Sequence, residues 1–298
     1  MRQLVRFLCL FSIVILSCKS IKTDNFVAND FFAIGNDYLT IDNYPRAIEF
    51  YLKSLDYNFN DKVLINLIIA YQKNKEYLKA EEIIIKNYDK AKKDVALARR
   101  YLKLLGNNYF YMNNLSMAVK TYTLFVESYK DDAEAYFNLG VCHYLSGNRE
   151  SGLKAFIQST EVDPKFLPSL RNVADYYYLE GKKEEALKYY NSLKSVDTQN
   201  PEVFYRLSLL TFAQNEYEVA LENINKAISL NSKENDYFIT AARILIKGYS
   251  DSKKALEMLT KAFENGYKEF ITLSTLSEFN IFAEQKEFKA LVEKYKKP

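Results

Sequence analysis

Turn-forming residues are scarce in this chain: its 298 residues include only 8 glycines and 5 prolines. An all-β fold needs many tight turns, so the shortage argues against one and in favour of helices. Cysteine is scarce as well. Of three, Cys9 and Cys18 lie at the extreme N-terminus and only Cys142 lies beyond it, so the body of the chain has no partner for an intrachain disulfide. An excess of one charge is also missing. The formal net charge is +3, and without Arg2 and Arg6 of residues 1–17 the balance is 39 basic against 38 acidic residues. Nucleic-acid binding calls for a concentrated basic face, which this balance does not supply.

The motifs of common chemistries are absent too. No Walker loop, G-x-G-x-x-G, paired C-x-x-C or H-E-x-x-H occurs in the sequence, which removes the usual nucleotide, metal and hydrolase signatures. The single histidine, His143, follows Cys142 directly. Successive helical side chains diverge by about 100°, so the two cannot act as a Cys–His pair. His143 reads instead as a packed, hydrogen-bonded core residue. No catalytic residue, metal site or cofactor is expected.

Apolar side chains are what the chain does have. At 48% hydrophobic and 27% charged residues, it can build a sizeable core and is not disordered throughout. The 25 tyrosines and 20 phenylalanines accompany much Lys, Asn and Ile, a bias typical of AT-rich genomes, so tyrosine abundance alone is no functional signal.

Residues 1–17 combine a short basic start (Arg2, Arg6) with an apolar run from Phe7 to Leu16. That run is shorter than the roughly 18–20 residues that span a bilayer, and it reads as the core of a signal peptide. It ends in Ile15-Leu16-Ser17-Cys18, which resembles the bacterial lipobox, with Ile15 where Leu is usual. The resemblance implies cleavage before Cys18, lipidation of Cys18 and durable anchoring by its acyl chains. Residues 18–27 are then a polar tether, and the protein is expected in the cell envelope, lipid-anchored to a bacterial membrane on its periplasmic side.

From about residue 28 a pattern recurs with a period near 34. Gly106, Gly140, Ala174 and Ser208 follow one another at 34-residue steps, and Ala186 to Ala220 repeats the step. The fourth unit carries Tyr136, Leu139, Gly140, His143, Gly152, Phe156 and Pro164; the first carries Phe31, Ile34, Gly35, Tyr38, Ala47 and Tyr51. Apolar residues three and four apart give each unit two amphipathic helices. Ser146-Gly147-Asn148 and Glu180-Gly181-Lys182 read as turns within units, and Asp163-Pro164 and Asn200-Pro201 as boundaries between them.

This pattern resembles the tetratricopeptide repeat. The resemblance implies an all-α, right-handed superhelical solenoid of antiparallel hairpins. About seven hairpins would occupy residues 28–265, and residues 266–298 would form capping helices, the last with Phe288, Leu291, Val292 and Tyr295 on one face. Asp89–Ala98, where the period stretches to about 38, is expected to lengthen a second helix or a loop.

In such arrays the first helix of each unit lines a concave groove. The resemblance therefore nominates Lys103, Asn107, Tyr111, Asn138, Tyr144, Arg171, Asn172, Tyr178, Tyr205, Arg206 and Phe212 as the binding face. Lys103, Asn107 and Asn138 partly match a clamp for peptide C-terminal carboxylates, but Pro168 and Asn172 stand where two further basic residues belong. The expected function is an envelope-anchored scaffold that holds a segment of another envelope protein in the groove. A small-ligand-binding or transporter-associated periplasmic component is the alternative, and self-association stays open.

Overall fold

The computed structural model describes residues 24–269, 273, 276–282 and 285–296. The signal peptide, Cys18 and the start of the tether lie outside the described residues, as do Phe270 and Lys297. Among the described residues every regular element is helical. Helix α1 (24–40) pairs with α2 (Tyr44–Tyr57), and residues 24–27, expected as tether, already belong to it. The following hairpins are α3 (Asp61–Lys73) with α4 (Tyr77–Ala91), α5 (Val95–Tyr111) with α6 (Leu115–Ser128), and α7 (Ala133–Leu145) with α8 (Arg149–Val162). Then come α9 (Leu167–Leu179) with α10 (Lys183–Val196), α11 (Pro201–Ala213) with α12 (Tyr217–Leu230), and α13 (Asn235–Tyr249) with α14 (Ser252–Glu264). A 3-10 turn (Ser277–Phe282) and α15 (Lys286–Lys296) close the chain. The fold is an all-α helical solenoid of hairpins.

Two compact units divide the chain between Ala155 and Phe156, inside α8. In the first unit consecutive helices pack together from α2 through to α7, and in the second from α9 through to α14. One alanine per hairpin sets the spacing of the paired helices. Ala47, Ala80, Ala118, Ala186, Ala220 and Ala255 are all 0% exposed. The fourth hairpin has Gly152 there, where even a Cβ would come within 3.0 Å of the Gly140 carbonyl oxygen. Larger side chains at these positions would overpack the helix pair.

The turns inside the hairpins follow the same rhythm. Asp42, Lys75, Asn113, Gly147, Gly181 and Asn215 all sit at positive φ, between 57° and 82°. Only two of them are glycine, the residue for which this left-handed conformation carries no Cβ penalty. Lys75, at φ 62° and exposed, is the least suited of the others. Lys75→Gly should therefore stabilise the protein by about 0.5–1 kcal/mol, the relieved strain exceeding the added unfolded-state entropy. A urea titration of the two forms checks this; an unchanged or lower midpoint would contradict it.

The stretched period between the second and third hairpins enters the structure differently from expectation. Helix α4, at 15 residues, is close to the 14 of α2, whereas α5 has 17 residues against 13 in α3. The extra residues lengthen a first helix, not a second helix or loop. Asp94 makes this possible by capping α5 a turn early, its carboxylate accepting from Leu97 N at 3.1 Å.

The described C-terminal residues pack on the last hairpin. Phe288, Leu291, Val292 and Tyr295 of α15 join Phe279 and Phe282 of the 3-10 turn over α13 and α14. Phe282 is fully buried and lies 5.5 Å from the Phe288 ring. This covers the apolar face that a last hairpin would otherwise leave open.

Candidate functional site

In the first unit, the third and fourth hairpins enclose a cavity of about 300 Å³ lined by Asn107, Phe110, Tyr111, Tyr122, Phe137, Asn138, Val141 and Cys142. Three of these, Asn107, Tyr111 and Asn138, belong to the expected binding face, so the structure brings them together. Tyr122 was not anticipated. Its ring is 1% exposed, and the close approach of α5 to α6 at Gly106 makes room for it: a Cβ on Gly106 would lie 2.7 Å from the Tyr122 Cζ. The Tyr122 hydroxyl donates to Asn107 Oδ1, and Asn138 lines the cavity beside them. Burial, foremost, holds the phenol well above its ordinary pKa, so at neutral pH it keeps its proton and acts as a donor. Cys142 is buried and its thiol is pushed up to about 11 by burial, which makes it an apolar wall rather than a nucleophile.

Tyr122 belongs to a pattern that spans two hairpins. Tyr51 donates to Asn36 and Tyr190 to Asp175, each pair fifteen residues apart like Asn107 and Tyr122. The intervening hairpins place Ile84, Phe156 and Ile224 at the tyrosine position. The signal was present in the sequence as a constant fifteen-residue Asn/Asp-to-Tyr spacing in alternate repeats.

Lys103 is ion-paired within the protein. Its ammonium bonds Asp132 at 2.9 Å and Glu134 at 2.8 Å. Arg99 bonds Asp131 at 3.0 Å and lies over the Phe125 and Tyr129 rings. This network joins the lengthened α5 to the start of α7. Burial disfavours charge on Asp132, but the bonds from Lys103, the Ala135 N–H and Arg99 outweigh it and hold its carboxyl below the usual range. Because the folded-state value is depressed, the stabilisation exists above the unfolded carboxyl pKa of about 3.9 and fades as pH falls through the folded value. Asp132 also caps α7, accepting from Ala135 N at 2.9 Å, a task asparagine performs equally well. Asp132→Asn should therefore lower stability at pH 7 by about 1 kcal/mol, with the gap to wild type closing below about pH 4. Urea titrations across that range test this, and a gap independent of pH would refute it.

Tyr111, the exposed member of the cavity lining at 48%, stacks on Tyr77 with ring centroids 6.2 Å apart. Tyr144 is 44% exposed, with the Arg149 guanidinium 5.7 Å over its ring, and does not line the cavity. His143 departs from expectation: it is half-buried, its Nδ1 makes no hydrogen bond, and burial lowers its pKa.

In the second unit the candidates form a different group. Arg206 lies 4.7 Å over the Tyr178 ring and 5.9 Å from that of Tyr205, and its Nε bonds Glu202 at 2.7 Å. Tyr178 meets Tyr190 edge-on, and Tyr205 packs on Tyr237 with centroids 4.8 Å apart. Arg171 reaches Asp197 at 3.4 Å. Asn172 donates to the Pro168 carbonyl of its own helix at 2.8 Å, which occupies one of its amide hydrogens. Phe212 is not a binding-face residue: it is 6% exposed and packs with Ala220, Ile224 and Ile244 beneath Arg243 and Lys247. Its position near the end of α11 turns the ring onto α12 and α13 instead of outward.

No group of three or more His, Cys, Asp or Glu suited to a metal occurs among the described residues. No helix among them is long and apolar enough to cross a membrane.

These features define a repeat protein of stacked helical hairpins. A family model described as tetratricopeptide repeat matches residues 103–158, a stretch from α5 to α8 that includes the whole cavity lining. A search of curated proteins finds no match. Among solved structures, a crystal structure of MamA protein is 15% identical, with 56% of this chain and 91% of that chain covered and a TM-score of 0.49. MamA from Desulfovibrio magneticus RS-1 gives 16%, 56%, 94% and 0.47. A tetratricopeptide repeat protein from Parabacteroides merdae is 15% identical, with 90% and 98% covered and a TM-score of 0.48. The fold rests on the hairpins themselves rather than on these likenesses.

Proposed function

We propose that this chain is a protein-interaction scaffold, anchored in the cell envelope through a lipid on Cys18, that acts by holding a segment of a partner protein and not by catalysis. The observation that carries the binding half is the cavity of the third and fourth hairpins. It combines aromatic walls with the amides of Asn107 and Asn138, the combination that peptide-binding sites use to orient a chain. The anchoring half rests on the sequence Ile15-Leu16-Ser17-Cys18. Only five residues separate Cys18 from residue 24, the first described residue of helix α1, a span of at most about 22 Å, so a lipid there would keep the first hairpin beside the bilayer.

The test is affinity capture from detergent-solubilised envelopes with wild type, with an Asn107→Ala, Asn138→Ala double variant, and with Cys18→Ser. The scaffold reading expects a partner polypeptide that the double variant loses. It expects Cys18→Ser to leave the membrane fraction and to lose incorporation of labelled palmitate. Identical recovery with wild type and the double variant would sink the binding half; unchanged fractionation of Cys18→Ser would sink the anchoring half.

A further inference from the structure

We propose that the open end of the first hairpin is a bilayer seat: with Cys18 lipidated, α1 and α2 lay their aromatic end face into the headgroup region of a zwitterionic lipid surface. This rests on the anchoring half of the scaffold reading and goes beyond it, from a tether to a fixed seat.

In the first unit each later hairpin is covered on this side by the one before it. Tyr109 of α5, for example, is 6% exposed and donates to Glu81 of α4 at 2.7 Å. At the repeat position of Ile34, Leu67 is 1% exposed, Leu139 is 7% exposed and Leu105 is partly buried. Ile34 itself is 37% exposed, because among the described residues no hairpin precedes α1. Ile41, just after α1, is 68% exposed.

The uncovered side is aromatic. Phe31 lies 6.0 Å from Phe50 and 5.6 Å from Tyr57, and Tyr38 stacks on Phe50 at 5.5 Å. The Lys53 ammonium stands 4.8 Å over the Phe50 ring and 6.0 Å over that of Phe31, and bonds Glu49 at 2.7 Å. Rings with a polar edge, beside a lysine whose stem runs along apolar surface, are the groups that settle at a membrane–water boundary.

Charge and tether length select lipid over a second copy of this chain. Residues 24–57 hold six acidic side chains (Asp24, Asp30, Asp37, Asp42, Glu49, Asp56) against Arg46 and Lys53, a net charge of −4. Two such hairpins face to face would repel, and the same charge favours a zwitterionic surface over an anionic one. The span from Cys18 to residue 24 is at most about 22 Å, less than the roughly 26 Å of the 17-residue helix α1 itself. Acyl chains on Cys18 would thus hold the face within reach of the bilayer and make its contact an intramolecular second step.

The chain contains no tryptophan, so an introduced one is a sole reporter. Tyr57→Trp and Ile41→Trp place it on the end face, and Leu124→Trp places it on α6; all three positions are exposed, and either end-face variant suffices should the other fold poorly. Full-length lipidated protein is reconstituted into phosphatidylcholine–phosphatidylethanolamine vesicles with and without bromine, a short-range quencher, on the acyl chains. Bromine is expected to cut tryptophan emission about two-fold or more in the Tyr57→Trp and Ile41→Trp proteins, whose rings would lie at headgroup level, and to leave the Leu124→Trp protein unchanged. Emission that bromine leaves unchanged in both end-face variants, or an equal loss in all three proteins, would overturn the proposal. Blue-shifted emission without quenching would assign the face to a second copy and overturn it as well. Flotation of the unsubstituted protein with the vesicles is scored in parallel. Floating without quenching leaves the anchor standing and removes the seat, whereas failure to float removes both.

Discussion

Phe125→Ala is expected to destabilise the protein by about 3–5 kcal/mol, the range for emptying a large, fully buried aromatic site. The Phe125 ring is 0% exposed and sits edge-on to Tyr129 at 5.2 Å, with Arg99 at 5.9 Å and Lys103 at 5.8 Å from its centroid. Removing it opens a cavity and also takes away the surface on which the Arg99–Lys103 network rests. In a hairpin array, stability is close to a sum of unit and neighbour terms. The loss should therefore fall on the third and fourth hairpins first and appear as an early, separate transition. Urea unfolding followed by hydrogen exchange, with protection lost in α5 to α7 ahead of α11 to α13, would show it. A loss below about 1 kcal/mol, or uniform loss of protection, would contradict the packing described.

Gly106→Val should cost about 1–3 kcal/mol through overpacking, although valine is intrinsically the better helix residue by under 1 kcal/mol. The reason is local. An ideal Cβ at Gly106 would stand 2.7 Å from the Tyr122 Cζ and 2.9 Å from both Cε atoms, and the buried ring has little room to retreat. What distinguishes this from an ordinary core insult is the functional consequence. Displacing the ring moves the phenol off Asn107, so peptide capture should fall by more than the loss of folded protein explains. Thermal melts together with capture at a temperature where the variant is folded provide the comparison. Unimpaired capture by a destabilised but folded variant would separate Gly106 from the site.

Much of the fold was legible because it depends on spacing. The 34-residue phase of Gly106, Gly140, Ala174 and Ser208 locates first helices, and Gly147 and Gly181 mark turns that do take positive φ. The apolar stripe of Phe288, Leu291, Val292 and Tyr295 likewise packs as its period implies. What spacing does not encode is which polar group a side chain finds. Lys103 sits at a clamp position in register, yet Asp132 and Glu134 from the next hairpin neutralise it. Phe212 occupies a groove register near a helix end, where its ring turns inward onto the next hairpin. Such outcomes depend on contacts about 30 residues away in sequence, and a single-repeat template averages them out. The Asn/Asp–Tyr pairs were hidden for another reason: they recur every second hairpin, so a comparison of adjacent repeats sees Tyr51 against Ile84 and Tyr122 against Phe156 and reads noise.

The central claim is that a partner polypeptide enters the cavity between the third and fourth hairpins. The most direct measurement places a photo-cross-linking amino acid at Tyr111, or at Leu124 as an exposed position outside the cavity lining, in the full-length protein in cells. The account predicts a discrete cross-linked polypeptide from Tyr111, lost when Asn107 and Asn138 are both alanine, and none from Leu124. Equal adducts from both positions, or none from Tyr111, would contradict it.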